Sequence, residues 1–294
     1  LNTTSKVTTP DEAVAQIGDG ATIAVGGAHS HNNPMALVQA LIRKGVKDLT
    51  VIPTPSAGMA IDILIAGGCV STVHVSYIGL EFLGFAPNFR RAAESKQIHV
   101  IEADEAWIVA GMRGGAARMP FVAMPRLYEG TSHREVNPLI RTTTDPYTGE
   151  EVTTIPALRA DFCLAHGQIA DARGNLQVTG QRRFEDVMAK ASDTVIVSAD
   201  EILDRAAPKP DARHVTIPGA IVTSVAHAPY GAHPTASPSK YDYDRDQLVS
   251  YRDHAAEGRT DEYLDRFVHG VKSHDEYLEL FGVNRLLGLR QTMR

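Results

Sequence analysis

The stretch ATIAVGGAHSHNNPMALVQALIRKG, residues 21–45, decides the fold. ATIAV is a short apolar strand, the pair Gly26-Gly27 breaks it, and PMALVQALIRK brings apolar residues back at helical spacing before Gly45 ends the run. Two glycines let the chain turn at positive φ and let another molecule approach the backbone, because no Cβ intervenes. Asn33 is a good N-cap and Pro34 suits the first helical position, so the helix is expected to aim free N–H groups at the loop. That arrangement would seat an anion or a polarised carbonyl. The same residues also describe a tight strand-to-helix turn that binds nothing.

Outward from this unit the alternation continues. TPDEAVAQI opens a helix with Thr9 as cap and Pro10 in its first turn, and DLTVIPT (48–54), STVHVSY (71–77) and QIHVIEA (97–103) read as strands. PNFRRAAESK and EAWIVAGMRGGAARM are helical patterns, and PFVAMP is extended. The middle is less regular: TTTDPYTGEE (142–151) is a turn or hairpin, and DFCLAHGQIADARGNLQVTG (161–180) is strand, loop, strand. EDVMAKAS is a helix, DTVIVSAD (193–200) and the start of AIVTSVAHAPYGAHP are strands, and the last 50 or so residues read as helices packed outside. Strands alternating with helices predict an α/β domain with an open, mainly parallel sheet flanked by helices, a single unit over 1–294 with C-terminal outer helices.

Composition narrows the function classes. With 43% hydrophobic and 22% charged residues the 294-residue chain is of ordinary globular type, and a formal net charge of -6 gives no reason to expect nucleic acid or an anionic membrane as partner. No segment offers about 18 uninterrupted apolar residues, and the N-terminus has no apolar leader core. Cys69 and Cys163 fit no zinc or disulfide spacing, so a reducing cytoplasm is the expected setting. Neither a G-x-x-x-x-G-K-[ST] loop nor a G-x-G-x-x-G fingerprint occurs, which leaves nucleoside triphosphate and nicotinamide chemistry without support.

Several stretches together carry a resemblance: GDGATIAVGGAHSHNNPMALVQALI, SYIGLEFLGFAPNFRRA, EADEAWIVAGMRGGAARMPFVAMP, DFCLAHGQIADARGNLQVTG, and HAPYGAHPTASPSKYDYD with SHDEYLELFGVNRLLGLR. In this order they resemble the A-type (α) subunit of family I CoA-transferases, in particular the glutaconate CoA-transferase branch. The resemblance implies a mainly parallel α/β fold and transfer of CoA between carboxylic acids, with a CoA thioester as substrate and no resident cofactor. It implies a hetero-oligomer in which a B-type subunit carries the nucleophilic glutamate. Gly26 and Gly27 would then lie against the thioester, where a branched side chain at Gly27 should harm turnover more than stability. Many relatives carry a further glycine and a basic residue in the loop; here His29, Ser30, His31 and Asn32 set its polarity, beside Asn33.

Two carboxylates are catalytic candidates. Glu105 matches, by its E-x-D-E stretch, a glutamate implicated in relatives that open steroid-derived rings by hydrolysis; a helix-capping role is the plain alternative. Glu81, in a glycine-bracketed loop after a strand, is a candidate by topology, against a solvated loop acid. Ser56, just past a strand, is a candidate for substrate contact or an N-cap, and His166 and Gln168 for lining the site from another strand end. His29 and His31 form an H-x-H pair without a third ligand type nearby, so substrate contact is expected rather than a metal. Three functions follow: the A-type chain of a CoA-transferase, the corresponding chain of a C–C bond hydrolase using Glu105, and a non-catalytic small-ligand sensor. A sensor would usually be joined to a DNA-binding module, and no basic helix-turn-helix precedes residue 20.

Overall fold

The computed structural model describes residues 5–180, 184–203 and 212–290. Its first half runs β1 (Val7–Thr8), α1 (Pro10–Val14), β2 (Thr22–Val25), α2 (Met35–Lys44), β3 (Leu49–Pro53), α3 (Met59–Ala66), β4 (Val70–Val75), α4 (Pro87–Glu94), β5 (His99–Glu102) and α5 (Glu105–Ala116). The central segment is β6 (Phe121–Met124), α6 (His133–Val136), β7 (Arg141–Thr144) and β8 (Glu151–Pro156). Then come β9 (Ala160–Asp171), β10 (Leu176–Gln177), α7 (Glu185–Lys190), β11 (Ser192–Leu203) and β12 (Ser224–His227). The C-terminal helices are α8 (Arg245–Ala256), α9 (Thr260–Leu264), α10 (His274–Glu279) and α11 (Val283–Gly288).

The main sheet has the order β1-β12-β11-β9-β2-β3-β4-β5, every neighbouring pair parallel, and β10 adds an antiparallel pairing to the far end of β9. Strand periodicity divides its side chains between two cores. Ile23, Val25, Val51, Val73 and Leu164 face one layer with α2 and α3, while Ala24, Ile52, Cys163, Ala165 and Val195 face the other with α5. The irregular middle resolves into a second, antiparallel sheet of order β6-β8-β7, so the PFVAMP segment and the hairpin belong together.

Local signals set the ends of the first helix. Thr9 and Glu12 form a reciprocal capping box: Thr9 Oγ1 accepts from the Glu12 N–H at 3.3 Å, and Glu12 Oε2 from the Thr9 N–H at 3.2 Å. Helix α2 is buried from Met35 through Ile42, because the sheet covers one side and the Asp265–His269 turn of the C-terminal layer packs on it too. That layer is locked by Asp244, which caps α8, accepts from His233 Nε2 at 3.1 Å and takes both Nε and Nη2 of Arg285 at 2.8 Å. Among the described residues no helix is long and apolar enough to cross a membrane.

Candidate active site

From β2 the chain steps through β3 and β4 to β5 at one edge, then returns to the other flank of β2 with β9. The strand order therefore reverses between β2 and β9, the place where open α/β sheets generally carry their ligand crevice. The glycine pair follows β2 directly at this reversal.

The loop is built against itself. Gly26 donates to the Leu164 carbonyl at 2.8 Å, and residues 28 and 31 exchange backbone hydrogen bonds at 2.9 and 2.8 Å, with His29 and Asn32 at φ 47° and 52°. Gly27 sits at φ +89°, where an added Cβ would stand 2.6 Å from Asn33 Cα and 2.8 Å from the Asn32 carbonyl oxygen. The loop's own backbone therefore requires glycine here. The expected open helix N-terminus is also corrected: α2 begins at Met35, Pro34 holds the cap position, and Asn33 does not cap. Asn33 Nδ2 instead donates to the carbonyls of His29 (2.9 Å) and His31 (3.2 Å), and its Oδ1 accepts from the Ala60 N–H at 3.3 Å. The first amides of the helix are taken by the Asn33 carbonyl (Met35, 2.8 Å) and the Gly231 carbonyl (Ala36, 2.9 Å). A buried helix start must satisfy its donors, and here protein carbonyls do so.

Beside the loop, the ends of β3, β4 and β5 bring a polar cluster together. The His29 N–H donates to the Ser56 carbonyl at 2.9 Å, and the His29 ring meets Tyr77 edge-on with centroids 5.4 Å apart. Ser56 caps nothing, since α3 follows Gly58; its hydroxyl donates to Glu105 Oε1 at 3.2 Å. Asp104, rather than Glu105, is the N-cap of α5, accepting from the Trp107 N–H and from the Tyr128 hydroxyl, each at 2.8 Å. That frees the Glu105 carboxylate to face a cavity of about 430 Å³ between the ends of β4 and β5.

Other candidates lie elsewhere. Glu81 is exposed on a short 3-10 turn, Glu81–Leu83, and does not line this cavity. Ser30 is buried, its carbonyl accepting from the Ala236 N–H at 2.7 Å, and His31 bridges the same residue. His166 is fully buried, with Nδ1 3.0 Å from Ser198 Oγ and Nε2 3.2 Å from Asp200 Oδ2. Gln168, equally buried, donates to Asn32 Oδ1 (2.7 Å) and Ser237 Oγ (2.8 Å) and accepts from the Thr179 N–H (2.6 Å). Gln168 thus braces the glycine loop through Asn32, and His166 is enclosed by β11 instead of lining a crevice. Sequence reasoning passed over Tyr77, which it placed as the last residue of the strand 71–77, whereas β4 ends at Val75.

Comparison with known proteins agrees with this geometry. The sequence profile of the family described as Coenzyme A transferase matches residues 7–228. A protein of Archaeoglobus fulgidus is 32% identical over 96% of this chain, which spans 63% of that protein's length. The A-type subunit of glutaconate CoA-transferase from Acidaminococcus fermentans is 30% identical, covering 97% of this chain and 95% of its own. The crystal structure of glutaconate coenzyme A-transferase from that organism superposes with a TM-score of 0.93 at 27% identity, over 98% of this chain and 96% of that one. The IpdA subunit of a cholesterol ring-cleaving hydrolase from Mycobacterium tuberculosis is 30% identical, over 92% of this chain and 94% of the relative. A profile match over most of the chain, with A-type relatives aligned nearly end to end, makes this chain an A-type member of the coenzyme A transferase family.

Proposed function

We propose that the chain is the A-type subunit of a heteromeric enzyme moving CoA between carboxylic acids, with the nucleophilic glutamate on a B-type partner docked over the carboxyl edge of the sheet. The superposition on glutaconate coenzyme A-transferase over 98% of this chain carries the reading. In the reaction, the partner's glutamate carboxylate attacks the acyl-CoA carbonyl and expels the CoA thiolate, forming an acyl-glutamyl anhydride. The thiolate then attacks the glutamyl carbonyl, which releases the free acid and leaves a glutamyl-CoA thioester. An acceptor acid runs the sequence backwards. This is covalent catalysis by a carboxylate, and CoA is substrate throughout. On this chain His29, Ser56, Tyr77 and Glu105 form the wall that faces the acyl group.

Co-expression with a B-type subunit, followed by borohydride or hydroxylamine trapping during turnover, tests the assignment. The glutamyl thioester is expected on the partner. A thioester on Glu105 or Glu81 overturns it, as does measurable transfer by the isolated chain.

Hydrolysis of a C–C bond is the second reading. It is favoured by one observation, the Glu105 carboxylate held by the Ser56 hydroxyl at the cavity. The same pair could orient a water.

A further inference from the structure

We infer that the cavity between the ends of β4 and β5 is the acyl pocket and that it takes an uncharged, largely hydrocarbon acyl chain, excluding acyl groups that carry a second carboxylate. The inference rests on the CoA-transfer reading of the site and adds its substrate class. One side of the cavity is apolar, formed by Val75, Phe89, Val100 and Ala103. Tyr77 closes another wall and is held there. An added Cβ on Gly79 would stand 2.0 Å from Tyr77 Oη, so the ring lies directly on the Gly79 backbone, and its edge is packed by His29.

The charged lining is of one sign. Glu102, Asp104 and Glu105 all border the cavity, and among the described residues His133 is the single basic side chain that does. No described lysine or arginine lines it; Arg134, the next residue of α6, is not part of the wall. Asp104 is neutralised in part by the α5 N-terminus, and Glu105 accepts from Ser56. Glu102 has no such offset. It is exposed at the end of β5, and its carbonyl, not its carboxylate, accepts from the buried Asn137 Nδ2 at 2.8 Å. That bond fixes the strand end at the rim. An acyl chain ending in a carboxylate would bring a fourth negative charge beside these three, and like charges disfavour each other. An alkyl chain can lie against Val75, Phe89, Val100 and Ala103 and brings no charge to the acids.

The test is calorimetric titration of the co-expressed complex with butyryl-CoA and with glutaryl-CoA, two thioesters that share the whole CoA moiety and differ in the distal carboxylate. Butyryl-CoA is expected to bind at least about tenfold more tightly, and Glu102→Gln to narrow that ratio at least about threefold. Equal or tighter binding of glutaryl-CoA to the unaltered protein overturns the proposal, as does a ratio that Glu102→Gln leaves unchanged. Binding is read apart from turnover. If butyryl-CoA is preferred but no CoA reaches an acceptor acid, the transfer reading fails while the pocket's selectivity stands.

Discussion

The Ser56 hydroxyl reaches Glu105 Oε1 across 3.2 Å, joining the end of β3 to the first turn of α5 over a separation of 49 residues. In the transfer reading this pair shapes the acyl cavity while the partner's glutamate reacts. Glu105→Gln keeps an oxygen for Ser56, so CoA transfer should fall less than about tenfold and stability change by no more than about 1 kcal/mol. Were Glu105 the general base of a hydrolysis, the same change would cost about a hundredfold or more. Steady-state assays for transfer and for hydrolysis on the same preparation separate the two.

Gly27→Ala should damage the fold before it damages chemistry. The new Cβ would overlap Asn33 Cα at a φ of +89°, so the loop must move or strain, a cost of about 2 kcal/mol or more. Gly26→Ala meets Glu185 Cγ at 3.1 Å and the Leu164 carbonyl oxygen at 3.3 Å, with no φ penalty, and should cost less. Urea midpoints of the two variants check the order.

Stability should drop as pH falls from about 6.5 toward 4. Burial, helped by the neighbouring charge of His99, pushes His74 down to about 4, and burial does the same to His274. Both are neutral in either state above pH 6.5. Below it the unfolded chain takes up protons that the folded one refuses until about pH 4, so the loss falls in that window. Each group accounts for about 2 kcal/mol between pH 7.5 and 5. His74→Phe, which keeps the stack on Trp107, should flatten its share of the slope in urea titrations at the two pH values.

Asp244→Asn should loosen the C-terminal layer. Burial alone would raise this carboxyl, but hydrogen bonds from His233 and Arg285 hold it well below the usual carboxylate range. Removing its charge and placing an amide at the Oδ2 position leaves His233 Nε2 and Arg285 Nε without their acceptor, while Oδ1 still serves Arg285 Nη2 and the α8 cap, a loss of about 3 kcal/mol. Faster proteolysis within residues 245–290 should accompany the lower urea midpoint.

What the sequence determined by itself was everything written within a few residues. Strand and helix periods placed β2, α2, β3, β4, β5 and α5. Thr9 as cap with Pro10 behind it announced the start of α1, and the family-wide order of motifs carried the fold and the A-type class. These signals are local because propensity, capping and face periodicity are set by near neighbours. Tertiary structure decided the rest. Asn33 looks like an N-cap, yet the carbonyls of His29 and His31 claim its amide, because the loop folds back on itself. Ser56 looked equally suited to capping, but α5 brings Glu105 within its reach. His166 and Gln168 were expected at a strand end, but β9 runs on past β2 to Asp171, so both lie inside the strand and Ser198, Asp200, Asn32 and Ser237 enclose them. Which carboxylates face a cavity depends on strand order and on loops packed from distant parts of the chain, and no residue's immediate neighbours encode either.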